Sequence, residues 1–237
     1  MTGGWRIDER KGAASELHAS WPAVDAAPGV RAVALCRVTA PAVVLGSTQS
    51  ESVVDRRRAG AAGISVARRR SGGGAVLVTA DDPVWIDVWI PSGDPLWHSD
   101  VERAFDWIGS AWASALGSAG LEGLSAHREG SAACTRWSKL VCFGGVGAGE
   151  VVTGDGRKIV GLAQRRNRHG AWFHGACVLR WDPALLVDLL DLPEAERNEA
   201  TADLAAAVAG VADLVEAAGG TAPDASTVAA WLIAALP

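Results

Sequence analysis

The chain has no tyrosine, a single methionine and three phenylalanines, yet it has 11 tryptophans in 237 residues. This skewed aromatic usage reads as compositional drift in an Ala/Gly/Arg-rich background, not as a functional signature. No apolar run is long enough for a membrane span, and the first residues, MTGGWRIDERKG, carry no apolar signal core. The four cysteines, Cys36, Cys134, Cys142 and Cys177, lack CxxC or Cys/His spacing, so no metal site is expected. Reduced thiols in a cytoplasmic protein, with no membrane partner, are the expectation. Positive charge is in deficit, with a net charge of -5, and no nucleic-acid-reading motif is present; nucleic acid is therefore not an expected partner. There are no internal repeats and no Gly-x-x-x-x-Gly-Lys-Ser/Thr loop; the glycine run at residues 144–149 lacks the spacing of a phosphate loop.

What is present is enough apolar sequence, 49%, for one large core. The pattern predicts an α+β fold: a mixed or antiparallel sheet with flanking helices, ending in a helical tail. Residues 31–47 suggest two short strands. Residues 50–63 suggest a short helix leading into the strand ISVARRR. AVLV and PVWIDVWIP read as paired strands, with Val84, Ile86, Val88 and Ile90 on one face and Trp85, Asp87 and Trp89 on the other. Residues 99–119 form an amphipathic helix with Ser99 as N-cap, Glu102 completing a capping box, and Phe105, Ile108, Trp112 and Leu116 as the core stripe. Residues 137–181 alternate short strands, KLVCFGG among them, with glycine turns; Gly154-Asp155-Gly156 signals a hairpin. From Asp182 the chain turns helical, with an acidic PEAERNEA link and a last helix from Ser226, which divides it into a core over 1–181 and a helical segment over 182–237.

Two segments carry chemistry. In Arg68-Arg69-Arg70-Ser71-Gly72-Gly73-Gly74-Ala75-Val76, glycines permit a backbone nest of amides beside forked guanidinium donors, suited to phosphate or carboxylate. A solvated surface turn is the plainer alternative. In Gly156-Arg157-Lys158-Ile159-Val160-Gly161-Leu162-Ala163-Gln164-Arg165, Lys158 follows a tight turn and heads an apolar strand, where its stem packs while its ammonium points into a pocket; a surface hairpin lysine is the alternative.

In order and spacing these segments resemble the lipoate–protein ligase A and octanoyl transferase family, which shares its catalytic domain with biotin ligases. The resemblance spans residues 30–181. It runs through Val43-Val44-Leu45-Gly46-Ser47-Thr48-Gln49, the Arg-Ser-Gly-Gly-Gly-Ala-Val loop, the Gly-Arg-Lys segment and His174-Gly175. It implies that Lys158 stabilises the reacting carbonyl, and that Ser71, Gly72, Gly73, Gly74 and Ala75, with Arg69 or Arg70, cradle the head group. It further implies that Gln49, with the apolar strands, lines a tunnel for an eight-carbon chain, with Gly161, Ala163, His174 and Gly175 in the same site. Relatives carry a His-Asp pair shortly after the glycines, where this chain has Val78-Thr79, and larger ligases carry an accessory domain of their own fold.

Cys142, in Val141-Cys142-Phe143 ahead of Glu150-Val151 and Gly-Arg-Lys, resembles the cysteine of the octanoyl transferases that relay an acyl group from acyl carrier protein. A buried structural thiol is the alternative. Cys177 reads as core. The implied function is attachment of a lipoyl or octanoyl group to a lysine of a lipoyl carrier domain, of 2-oxoacid dehydrogenase E2 or glycine-cleavage H-protein type. Lipoate or octanoate is the substrate, and activation comes either from ATP and Mg²⁺ or from a Cys142 relay. A non-catalytic acyl- or carrier-binding module and a biotin–protein ligase are the alternatives.

Overall fold

A computed structural model describes residues 4–20, 29–128 and 134–237. Two sheets form the scaffold. The larger has seven strands in the order β1(Arg6–Gly12), β2(Ala32–Val38), β6(Val84–Pro91), β10(Gly170–Cys177), β9(Lys158–Asn167), β8(Val151–Val152), β7(Ser125–Ala126). Only the β1–β2 pair is parallel. The smaller sheet has the order β4(Ser65–Arg68), β3(Ala42–Leu45), β5(Val76–Val78). AVLV and PVWIDVWIP are therefore not paired: β5 pairs with β3, and β6 lies between β2 and β10.

All eight residues of β6 are buried, because both faces of this central strand are covered. Val84, Ile86, Val88 and Ile90 pack against α3(Asp106–Ser118), α6(Val211–Ala217) and α7(Ala225–Ala235), with Ile108, Trp112, Leu116, Val211, Val228 and Leu232 in the same cluster. On the other face Trp85 joins Cys36, Val44 and Val78 in a layer closed by Ala14 and Leu17 of α1(Ala14–Ala19). A third cluster covers the outer face of the small sheet with α2(Arg56–Ala61), α4(Ala184–Leu189) and α5(Glu194–Ala207).

Local chemistry moved several boundaries. The α3 region starts with a 3-10 turn at Arg103–Phe105, and Asp100 rather than Ser99 accepts from the amides of Glu102 and Arg103. PEAERNEA is not a link; it opens α5, whose first turn carries Glu194 and Glu196 at the positive helix end. The last helix is capped one residue earlier than Ser226 would allow, by Asp224 accepting from Thr227. KLVCFGG is not a strand: Cys142–Gly144 is a 3-10 turn. The hairpin at residues 154–156 forms as the sequence suggests, with Gly156 at φ +86° between β8 and β9.

The tail helices pack into the same cores as the sheets, and the amide of Ala209 donates to the carbonyl of Lys158.

Candidate active site

The glycine loop is built on close backbone approach. Leu45 is followed by Gly46, where a Cβ would lie 1.9 Å from the Gly73 carbonyl oxygen; at Gly74 a Cβ would lie 2.6 Å from the backbone nitrogen of Cys142. Gly73 adopts φ +101°, open to glycine but strained for any side chain. Ala75 then locks the loop to the next segment: its amide donates to the Leu140 carbonyl at 2.7 Å and its carbonyl accepts from Cys142 at 3.0 Å. The close packing makes a prediction. Gly74→Ala pushes the loop off residues 141–142, costs ~1–3 kcal/mol in urea denaturation, and displaces Cys142; unchanged stability and activity would count against this geometry.

Arg69 does not reach outward. It is 5% exposed and donates to the carbonyls of Gly72 (2.7 Å), Gly74 (2.8 Å) and Val44 (3.3 Å), since a buried guanidinium must satisfy its donors. With the loop carbonyls turned to Arg69, the amides of Gly72, Gly73 and Gly74 have no acceptor among the described residues. They form the available half of an anion nest, which carbonyl oxygens or phosphates fit. Ser71 is buried with its hydroxyl unpartnered among the described residues, while its carbonyl accepts from Ser47. Arg70 is exposed and lines a separate crevice with Ser20 and Arg165. Gln49 works as a staple and is absent from the cavity walls: its Oε1 accepts from Gly46, and its Nε2 donates to the carbonyls of Lys139 and Leu140.

Lys158 is 1% exposed. Its ammonium donates to the carbonyls of Cys142 (3.0 Å) and Gly145 (2.9 Å), and pairs with Glu150 at 2.7 Å. The Phe143 ring lies 4.9 Å away. Glu150 in turn accepts from the amides of Gly147 and Leu162. The loop from Cys142 to Glu150 is thus wrapped around one buried cation. All three ammonium hydrogens are used, so a substrate oxygen engages Lys158 only if one of these bonds gives way. Gly161 makes room for this packing: a Cβ there would lie 3.4 Å from both the Lys158 stem and Phe143.

Two cavities meet at Cys142. One is an almost wholly apolar slot lined by Val44, Val76, Trp85, Phe143, Leu162 and Ala163, with Gly161, Gly175 and Arg69 also in its wall. The other is an open cleft of about 450 Å³ lined by Gly72, Gly73, Gly74, Glu150 and Lys158. Cys142, Leu162 and Ala163 belong to both. The Cys142 sulfur lies 3.6 Å, and an Arg69 nitrogen 2.7 Å, from the point where a Gly73 Cβ would stand, so the missing side chain lets them face one another.

The slot ends in a polar cluster foreshadowed only by one charged residue inside an apolar strand. Asp87 is 0% exposed and accepts from Trp85 Nε1 and His174 Nδ1, both at 2.6 Å, with Arg10 3.6 Å away. Strand register sets this pair, since His174 stands opposite Asp87. Burial alone would raise the Asp87 pKa, but the charge and hydrogen bond of His174 and the bond from Trp85 bring it below its ordinary value. His18 stacks on Trp85 at 4.2 Å, and burial, with the nearby His174, pushes its pKa down to about 3. Val78 and His174 both line the slot, while Asp87, the partner of His174, is not in its wall.

The folded protein keeps His18 neutral, whereas the unfolded chain protonates it near pH 6.5. Stability therefore falls as pH drops from 6.5 toward 3, and Asp87 adds a loss below its unfolded pKa. His18→Leu flattens the upper part of this dependence in urea titrations at stepped pH; an unchanged slope would contradict it.

Cys177 is core, its thiol pushed well up by burial; Cys36 is also buried, its thiol against Asp87, and Cys134 is exposed at the cleft. Among the described residues no group of three or more His, Cys, Asp or Glu stands where a metal ion could be held, and no helix is long and apolar enough to cross a membrane.

A mixed sheet flanked by helices, with an apolar slot opening on a glycine nest and a buried lysine, places the chain in the fold class of the lipoate and biotin ligases. It belongs to the lipoyl protein ligase A/B catalytic domain family, whose model matches residues 23–236. A bi-partite lipoate protein ligase from Thermoplasma acidophilum, described with its E2 lipoyl domain, is 21% identical, covering 98% of this chain and 82% of that one at a TM-score of 0.73. A lipoate-protein ligase A structure bound with ATP is 23% identical, covering 99% and 84%, TM-score 0.68. A biotin protein ligase from Leishmania major, in complex with biotinyl-5-AMP, shares the fold at 9% identity, covering 99% and 73%, TM-score 0.53. None of the curated protein sequences compared is significantly similar to this chain.

Proposed function

We propose that this chain transfers an eight-carbon acyl group, octanoyl or lipoyl, to a lysine of a lipoyl carrier domain of E2 or H-protein type, through a thioester on Cys142. One observation carries the reading: Cys142 lines both the apolar slot and the cleft, its sulfur 3.6 Å from where a Cβ of Gly73 would stand, in a loop whose three glycine amides have no acceptor among the described residues. An acyl chain in the slot gains ~0.8 kcal/mol per buried methylene, and its reacting carbonyl then lies at the junction.

In the first step the sulfur attacks the thioester carbonyl carbon of an acylated carrier such as acyl carrier protein. The new C–S bond replaces the old one, and the carrier thiol leaves with the proton that Cys142 gives up. In the second step the lysine amine attacks the Cys142 thioester; the amide forms and the sulfur departs, recovering a proton. In both steps negative charge on the carbonyl oxygen falls to the amides of Gly72, Gly73 and Gly74. Lys158 holds the Cys142 carbonyl, and with it the sulfur, in place.

A second reading is favoured by the size and lining of the cleft. Its 450 Å³ or so beside the glycine nest suits a nucleotide, so that a carboxylate in the slot attacks the α-phosphorus of ATP, held with Mg²⁺, releasing pyrophosphate and leaving an acyl-adenylate. The two separate cleanly. Incubation with octanoyl-acyl carrier protein, without ATP, yields a protein heavier by one octanoyl group, mapped to Cys142 by peptide mass. Pyrophosphate exchange with lipoate and ATP, and no adduct, favours the adenylate; neither result points to a binding module, and adenylation with biotin to a biotin ligase.

A further inference from the structure

We infer that His18 is the end stop of the apolar slot and fixes the length of the acyl chain it takes; the inference rests on the acyl reading of that slot. His18 and His174 line the slot and also a narrow second crevice, of about 10 Å³, formed with Ser20, Arg70, Arg165 and Trp172. Their two side chains thus stand between the slot and the crevice, and neither lines the cleft beyond Cys142. The two imidazoles meet edge to face at 5.5 Å and line the slot together.

The two halves of this partition are held differently. His174 sits on β10, in the middle of the large sheet, and is pinned by Asp87. His18 sits on α1, six residues long, and is held by stacking on Trp85; its Nδ1 is buried without a hydrogen-bond partner among the described residues. His18 is therefore the half that can be removed without breaking a polar network. Truncating it leaves the volume of the imidazole free for further methylenes. Enlarging it shortens the slot.

The test is calorimetric titration of the whole protein with saturated fatty acids of six to fourteen carbons, paired with circular dichroism of each variant. Wild type binds best near eight carbons. His18→Ala moves the optimum to longer chains, each methylene that finds room tightening binding about four-fold. His18→Phe moves it to shorter ones. Opposite shifts are not produced by general loosening of the fold, which weakens all chains alike. Variants that bind with the wild-type length preference overturn the end stop while leaving the acyl slot intact. Wild type that binds none of the acids overturns the acyl reading, and the end stop with it.

Discussion

Cys142→Ser lowers octanoyl transfer from acyl carrier protein to a lipoyl domain by at least ~10³-fold, the scale of losing a nucleophile, and leaves thermal stability within ~1 kcal/mol. The two halves of this expectation come from different atoms. The sulfur faces the junction of slot and cleft, and a hydroxyl there is too weak a nucleophile without a base to activate it. The backbone of the same residue does the structural work, its amide donating to Ala75 and its carbonyl accepting from Lys158, and serine keeps both. Initial rates with the carrier thioester, beside a melting curve, read the two separately. Near-normal transfer by the serine variant would remove the relay and leave adenylation as the route.

Lys158→Ala loses on both counts. Its ammonium is shared by Cys142, Gly145 and Glu150, and without it a carboxylate only 5% exposed stays buried beside two unsatisfied carbonyls. Removing one partner of such a pair costs ~3–5 kcal/mol. Turnover falls by at least ~10²-fold, the scale of misplacing a reacting group by an ångström, because the loop that carries Cys142 loses its centre. The double variant Lys158→Met with Glu150→Gln separates the effects. It removes the uncompensated charge and regains much of the stability while turnover stays low. Recovery of turnover along with stability would mean that the cation acts only as a structural tie.

The α+β architecture and the glycine-lysine-cysteine constellation are legible in the sequence, because tight turns, periodicity and ordered spacing are local properties. The partners of each side chain are not. Arg69 and Gln49 look like ligand groups, yet inside the fold they satisfy backbone groups of the same site, a demand that arises only once those groups are buried. Glu150 is visible in the Glu-Val step, but its pairing with Lys158 depends on glycines 144, 145 and 147 letting the loop close over the ammonium. Asp87 gave a signal, a lone carboxylate between Ile86 and Val88. Its partner His174 follows from an antiparallel register, and Trp85 from its own strand. His18 lies on a six-residue helix ahead of every motif, where nothing in the sequence suggests a cavity wall. The Val78-Thr79 departure also reads differently in three dimensions. Val78 faces the slot, whereas the Thr79 hydroxyl closes a turn by donating to Asp82.

The central claim is that one sulfur carries the acyl group between two partners. Its most direct test is a single-turnover chase. Protein acylated on Cys142 is separated from acyl carrier protein and mixed with a lipoyl domain in the absence of ATP. The account predicts that the octanoyl group leaves Cys142 and appears on the carrier lysine in equal amount. An acylated cysteine that stays loaded, while the same lipoyl domain is modified only when ATP and free lipoate are supplied, would contradict it.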